Sequence, residues 1–201
     1  MQSNPRATYD EMLDPDGAVR PAYHGFREWF DTQDRDWLKR QDAEAERFFR
    51  RTGITFNVYG DTSGAERIFP FDLVPRILAA SEWAWIEQGL RQRIRALNLF
   101  IDDIYGERRI LKAGIVPESL VASAASYLPP CVGIKPPKGI YCHVVGTDLV
   151  RDRDGQFYVL EDNLRCPSGV SYVLKNRVVM KRTFPQVFES SRIRPVDDYP
   201  G

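Results

Sequence analysis

Residues 139–172 read GIYCHVVGTDLVRDRDGQFYVLEDNLRCPSGVSY. Two apolar-rich runs, Gly139 to Arg151 and Gln156 to Leu164, flank the turn Arg151-Asp152-Arg153-Asp154-Gly155-Gln156. Asp-Gly between two such runs is a hairpin signal, because a type I′ turn needs positive φ at both central residues. With Asp154-Gly155 as a two-residue loop, Arg153 faces Gln156, and counting outward sets Asp148 opposite Glu161. Asn163, two residues beyond Glu161, shares its face, and Asp162 points to the other. The register decides the site, since a slip of one residue would move Asp148 to the wrong face.

Two carboxylates directly opposite each other repel. A hard cation relieves that repulsion, and Mg²⁺ takes oxygen ligands from one or two carboxylates and from substrate phosphates. Spacing alone leaves two readings open: a metal site built from Asp148, Glu161 and Asn163, or the solvated charged face of an ordinary hairpin. The next segment, Arg165-Cys166-Pro167-Ser168-Gly169-Val170-Ser171, leads into a helix. Its Pro and Gly suit a tight turn with exposed backbone N–H groups, and Ser168 or Ser171 can cap the helix. A helix N-terminus there would cradle an anion. Arg165 could clamp a carboxylate or phosphate in bidentate fashion, or form a surface salt bridge.

Outward from the hairpin the chain turns helical. Tyr23, Phe26, Trp29 and Phe30 recur at helical spacing, and Trp37, Leu38, Phe48 and Phe49 follow, so 22–52 reads as one helix stopped by Gly53. Asp14-Pro15-Asp16-Gly17 is a turn. Ile54 to Tyr59 alternates as a strand ending at Gly60-Asp61, the polar turn Thr62 to Ala65 follows, and a short strand lies around Arg67 to Phe69. Pro70 and Pro75 bracket a loop. The longest helix spans about Ala79 to Tyr105, with Ile86, Leu90, Ile94, Leu97 and Ile101 as its core stripe. Pro117 opens another helix, with Leu120, Val121 and Ala124 inward. A last helix runs from about Tyr172 to Phe184 and is stopped by Pro185. The fold class is therefore α/β (α+β): a helix-rich N-terminal region over 1–135, a boundary at the stiff Pro129-Pro130 and Pro136-Pro137 connection, and a hairpin-plus-helix region over 136–201.

The 201 residues carry 28 basic and 28 acidic side chains, so net charge is zero. That argues against a chain whose main task is coating nucleic acid or an anionic membrane. No run approaches the roughly 20 apolar residues of a membrane helix. The polar start does not read as a secretory signal, and Cys131, Cys142 and Cys166 read as free thiols in a reducing compartment, which together suggest the cytoplasm. No GxGxxG and no Walker A lysine is present. His143 and His24 read as structural, Trp83 and Trp85 as core or subdomain contacts, and Lys175, Arg177, Lys181 and Arg182 as a solvated basic helix face.

Tyr158 to Tyr172 resembles the signature of the circularly permuted ATP-grasp proteins, a bacterial group related to glutathionylspermidine synthase. Glu161-x-Asn163 is similar to the Mg²⁺-binding pair of ATP-grasp enzymes, and Asp148 matches the further acidic ligand on the preceding strand. Further blocks agree: Ile54 to Asp61, Arg67 to Leu78, Glu82 to Gly106 and Gly139 to Asp152. The resemblance spans about Tyr9 to Tyr199. It departs at Cys166, where the family usually has Thr, and in length, because family members continue well beyond the point that corresponds to Gly201.

The resemblance implies an ATP-dependent carboxylate–amine ligase that activates a small-molecule or peptide carboxylate as an acyl phosphate for attack by an amine. It implies Mg²⁺ (or Mn²⁺) on Asp148, Glu161 and Asn163, ATP as co-substrate, and Arg165, Ser168 and Gly169 beside the substrate, with Arg165 the catalytic candidate. The nucleotide-gripping lysines would lie in a C-terminal half of the ATP-grasp domain outside this chain, so the fragment is expected to be inactive alone. A different class stays open: a non-catalytic binding or scaffold module with a vestigial metal site and an apolar surface where further polypeptide docks. A stand-alone metal-dependent hydrolase is a third reading, weakened by the absence of a nucleophile or base beside the carboxylates.

Overall fold

The computed structural model describes residues 8–53, 55–56, 67–68, 71–165, 167 and 169–199. Of the expected first strand, only Thr55 and Phe56 fall within these, and Thr62 to Ala65, Phe69, Pro70, Cys166 and Ser168 lie outside them. The architecture is mixed helix and antiparallel sheet, as expected. The chain divides into two units, 1–79 with 168–201, and 80–167. The expected boundary at 135/136 differs from this division. The proline-rich connection stays with the second unit because Asn98 donates to the Gly139 carbonyl at 2.9 Å and accepts from the Tyr141 N–H at 2.8 Å.

In the first unit, α1 (His24–Phe30) and α2 (Arg35–Arg51) replace the single helix expected over 22–52. The break has a local cause. Asp34 leaves helical geometry and its side chain accepts from the Trp37 N–H, which starts a new helix at Arg35. Gly53 ends α2 at φ +64°, a conformation that favours glycine. β1 (Thr55–Phe56) pairs antiparallel with β2 (Arg67–Ile68). The Asp14–Gly17 turn is closed by the Ala18 N–H, which donates to the Asp14 side chain at 2.9 Å, and by Gly17 at φ +83°.

The core of this unit is aromatic. Tyr23, Phe26, Phe184 and Val187 are buried, with Trp29, Phe30 and Trp37 packed around them. Phe184 meets Phe26 and Trp29 edge-on, the geometry aromatic quadrupoles favour. Ala45, Phe49 and Val179 form a second buried group. Phe184 also ends α6 (Val170–Thr183), and Pro185 opens α7 (Pro185–Ser190) instead of merely stopping a helix. His24 is exposed, and its Nε2 lies 2.8 Å from the Val19 carbonyl. On α6, Arg177 donates to the Arg194 carbonyl and Arg182 covers the Phe48 ring.

The second unit is built on α3 (Ala80–Ile104). Ile86 and Ile104 are buried, and Leu90, Ile94, Leu97 and Ile101 are half-buried along the expected stripe. Trp83 and Trp85 are exposed rather than core. α4 (Arg109–Lys112), missed by periodicity because it is a single turn, is started by Asp103, whose carboxylate accepts from the Arg109 and Ile110 N–H groups. α5 (Glu118–Ala122) follows Pro117 and buries Val121, whereas Leu120 and Ala124 are exposed. One short turn cannot direct all three inward. Lys135 and the Tyr141 hydroxyl both donate to Asp102, at 2.7 and 2.9 Å, and fasten the 133–141 segment to α3.

Candidate metal centre

β3 (Gly146–Arg151) and β4 (Phe157–Asn163) form the expected antiparallel hairpin. His143 therefore precedes the strand and is exposed, rather than lying on it. The loop also differs from the two-residue turn. The Asp152 N–H donates to the Gln156 carbonyl at 3.0 Å and the Gly155 N–H to the Asp152 carbonyl at 2.8 Å, with Gly155 at φ +82°. Residues 153–155 thus make a three-residue loop with glycine in the left-handed position. Arg153 does not face Gln156.

Beside this loop the pairs are Arg151 with Phe157, Val150 with Tyr158 and Leu149 with Val159. Continued without change, that pairing would set Asp148 opposite Leu160. The register shifts between Asp148 and Leu149 instead, leaving Leu160 as the extra residue of a β-bulge. Beyond it Asp148 pairs with Glu161, Thr147 with Asp162 and Gly146 with Asn163. The expected acidic pair is therefore present. It arises from a longer loop and a compensating bulge rather than from the loop counted in the sequence.

Strand alternation then separates two faces. Asp148, Glu161 and Asn163 share one and are exposed. Asn163 Nδ2 donates to Glu161 Oε1 at 3.0 Å, which holds the amide beside the Glu161 carboxylate. On the other face Asp162 is nearly buried, its side chain 8% exposed. Its Oδ2 accepts from Arg93 Nε of α3 at 2.6 Å and its Oδ1 from the Thr147 hydroxyl at 2.9 Å. Arg151 pairs with Glu82 of α3 on this same face. Pro167 packs directly on Gly146, where an added Cβ would lie 2.7 Å from the proline Cβ.

The remaining predicted residues separate. Arg165 is exposed just past β4. Gly169 is the N-cap of α6, and Ser171 lies inside its first turn rather than at the cap. Ser168 lies outside the described residues. Cys131 and Cys142 are free thiols, and burial pushes the Cys142 thiol up. Arg93 and Thr147, which hold Asp162, were not identified from sequence. Arg93 is 69 residues from its partner, and only its charge hinted at a role.

The donor set is two carboxylates and one amide carbonyl, all oxygen, and its chemistry fits a hard divalent cation. Among the described residues, no group of three or more His, Cys, Asp or Glu gathers as a metal site. A site with three protein ligands on this face would have to include the Asn163 amide.

The model of the family "Circularly permuted ATP-grasp type 2" matches residues 75–201, which include every candidate site residue named above. An uncharacterized protein of Synechocystis is 51% identical over 198 residues, covering 98% of this chain and 41% of its own length. An uncharacterized protein of Mycobacterium tuberculosis is 48% identical over 191 residues, covering 95% of this chain and 34% of its own. A Frankia casuarinae protein named "Putative glutamate--cysteine ligase 2-2" is 41% identical over 195 residues, covering 96% of this chain and 22% of its own. The chain thus spans well under half the length of these relatives. It belongs to the circularly permuted ATP-grasp type 2 family.

Proposed function

We propose that this chain carries the metal-binding hairpin of an ATP-dependent carboxylate–amine ligase. One observation carries the reading: Asp148 pairs directly with Glu161, and the Asn163 amide sits on the same face. In the proposed reaction a substrate carboxylate oxygen attacks the γ-phosphorus of ATP and ADP leaves. An amine then attacks the acyl carbon and phosphate leaves. Asp148, Glu161 and Asn163 would hold Mg²⁺ or Mn²⁺, which would supply charge neutralisation for the phosphates. Arg165 is the proposed bidentate donor to the negatively charged substrate, and Ser168 and Gly169 are proposed as further substrate-binding residues.

The name of the Frankia relative supports a ligase with an amino-acid carboxylate and amine as the substrate class. The lengths of the relatives support the reading of this chain as a portion of a longer protein, and the N-terminal portion is our reading. The nucleotide-gripping residues then lie in the remainder, and the fragment is inactive alone, in the cytoplasm. A relation to glutathionylspermidine synthase is part of the same proposal. Among the described residues, no helix is long and apolar enough to cross a membrane.

Calorimetric titration of Mn²⁺ and Mg²⁺ into the chain tests the site. Binding that disappears in Glu161→Ala and Asn163→Ala is expected, with ATP adding nothing to it. Equal binding in the parent and both variants would remove the assignment. Exposed Ile115, Leu120 and Leu160 favour the alternative of a docking module with a vestigial site. That reading expects self-association that is independent of metal.

A further inference from the structure

β4 has two ways to meet β3. The bulged pairing observed sends Asp162 to the α3 face and Glu161 to Asp148. The unshifted pairing, continued from Leu149–Val159, would place Leu160 opposite Asp148, Glu161 opposite Thr147, and Asp162 opposite Gly146. The β4 side chains from Glu161 to Asn163 would change face, and the acidic pair would be dismantled. Local preference does not select the bulged form, since it leaves Leu160 unpaired and 74% exposed.

Two contacts belong to the bulged form. Asp162, the least exposed carboxylate of the strand, accepts from Arg93 and from the Thr147 hydroxyl across the ladder. Charge-assisted bonds of this length are the stronger class. Pro167 closes on the bare backbone of Gly146, whose partner is Asn163. A shift of one residue would move Pro167 off that glycine.

We infer that Arg93 and Thr147, acting through Asp162, are positioning residues that hold β4 in the bulged register and so deliver Glu161 and Asn163 to Asp148. The consequence for metal binding rests on the proposed function; the register itself does not.

The test is the double variant Arg93→Ala/Thr147→Val in the full chain, read by cross-strand nuclear Overhauser contacts and by Mn²⁺ titration. The contacts of Asp148 are expected to move from Glu161 to Leu160, and Mn²⁺ affinity to fall by about tenfold or more, the usual loss when a residue supporting a ligand is removed. Deleting Leu160 in that background makes Glu161 the regular partner of Asp148, so it should restore both the contact and the binding. A merely stabilising role for Arg93 gives no such rescue. Contacts of Asp148 that stay with Glu161 in the double variant overturn the inference. Should that variant not fold, Thr147→Val and Arg93→Gln singly carry the same test, with a growing Leu160 contact expected and an unchanged pattern overturning it. A register that shifts as stated in a chain that never binds Mn²⁺ supports the positioning and overturns the metal reading alone.

Discussion

Gly146 offers the sharpest quantitative test of the hairpin. An alanine there would place its Cβ 2.7 Å from the Pro167 Cβ and 3.1 Å from its Cγ, and 3.8 Å from the Asn163 Cβ. Carbon atoms are comfortable at roughly 3.5–4.0 Å, so the two proline contacts are too close by up to about an ångström. Neither partner is the end of a flexible side chain, so relief requires moving the backbone around Pro167 or Gly146. Overpacking of this kind costs about 1–3 kcal/mol. Gly89 is the internal control. It lies within α3 of the same unit, and a Cβ there meets nothing within 4 Å. Alanine should stabilise that helix by about 0.5–1 kcal/mol through reduced unfolded-state entropy and better propensity. Urea denaturation with a probe in residues 80–167 should therefore show midpoints moving in opposite directions for Gly146→Ala and Gly89→Ala. A Gly146→Ala chain as stable as the parent, at unchanged slope, would refute the close packing of Pro167 on the strand.

Asp34→Ala should destabilise the start of α2 by about 1 kcal/mol, seen as a lower denaturation midpoint and lost helical ellipticity, because the Trp37 N–H loses its cap. Phe49→Ala, at a fully buried position, should cost about 3–5 kcal/mol in urea unfolding of the unit built on 1–79 and 168–201. Lys135 and Tyr141 hold the Asp102 carboxyl below its usual range, so its contribution is present above the ordinary carboxylate range and is lost as pH falls through the depressed value. Asp102 in turn raises Lys135, and burial with the Asp102 bond raises Tyr141, so their contributions are present below the ordinary values and are lost as pH rises through the elevated ones. Asp102→Asn should therefore flatten the acid limb of a stability–pH profile measured by urea unfolding.

The candidate site was legible where it depended on residue type and illegible where it depended on tertiary contact. Asp154-Gly155 signalled the hairpin, and alternation placed Glu161 and Asn163 together and Asp162 apart. The loop count was wrong by one residue, and a bulge of one residue reversed the error. Nothing near Leu160 announces that bulge; the groups that bind Asp162 include Arg93, a helix away. The broken helix at Asp34 was readable, since the polar run Asp31-Thr32-Gln33-Asp34 contains a capping residue. The exposure of Leu120 was not, because a helix of 5 residues has too few turns for periodicity to fix its orientation.

The geometry of the acidic pair also bears on which metal it suits. A calcium cage needs 6–8 oxygen ligands, whereas Mg²⁺ keeps several waters and is completed by one or two carboxylates and by phosphates. Two carboxylates and one amide on an exposed strand face match the second pattern. In the proposed ligase such a site does not function as a structural cage. Asp148, Glu161 and Asn163 would hold the cation from the ladder, and the cation would supply charge neutralisation for phosphates. The proposed site, with so few protein donors, predicts weak metal binding by the isolated chain, and under the register proposal the residues that hold β4 would matter as much as the ligands.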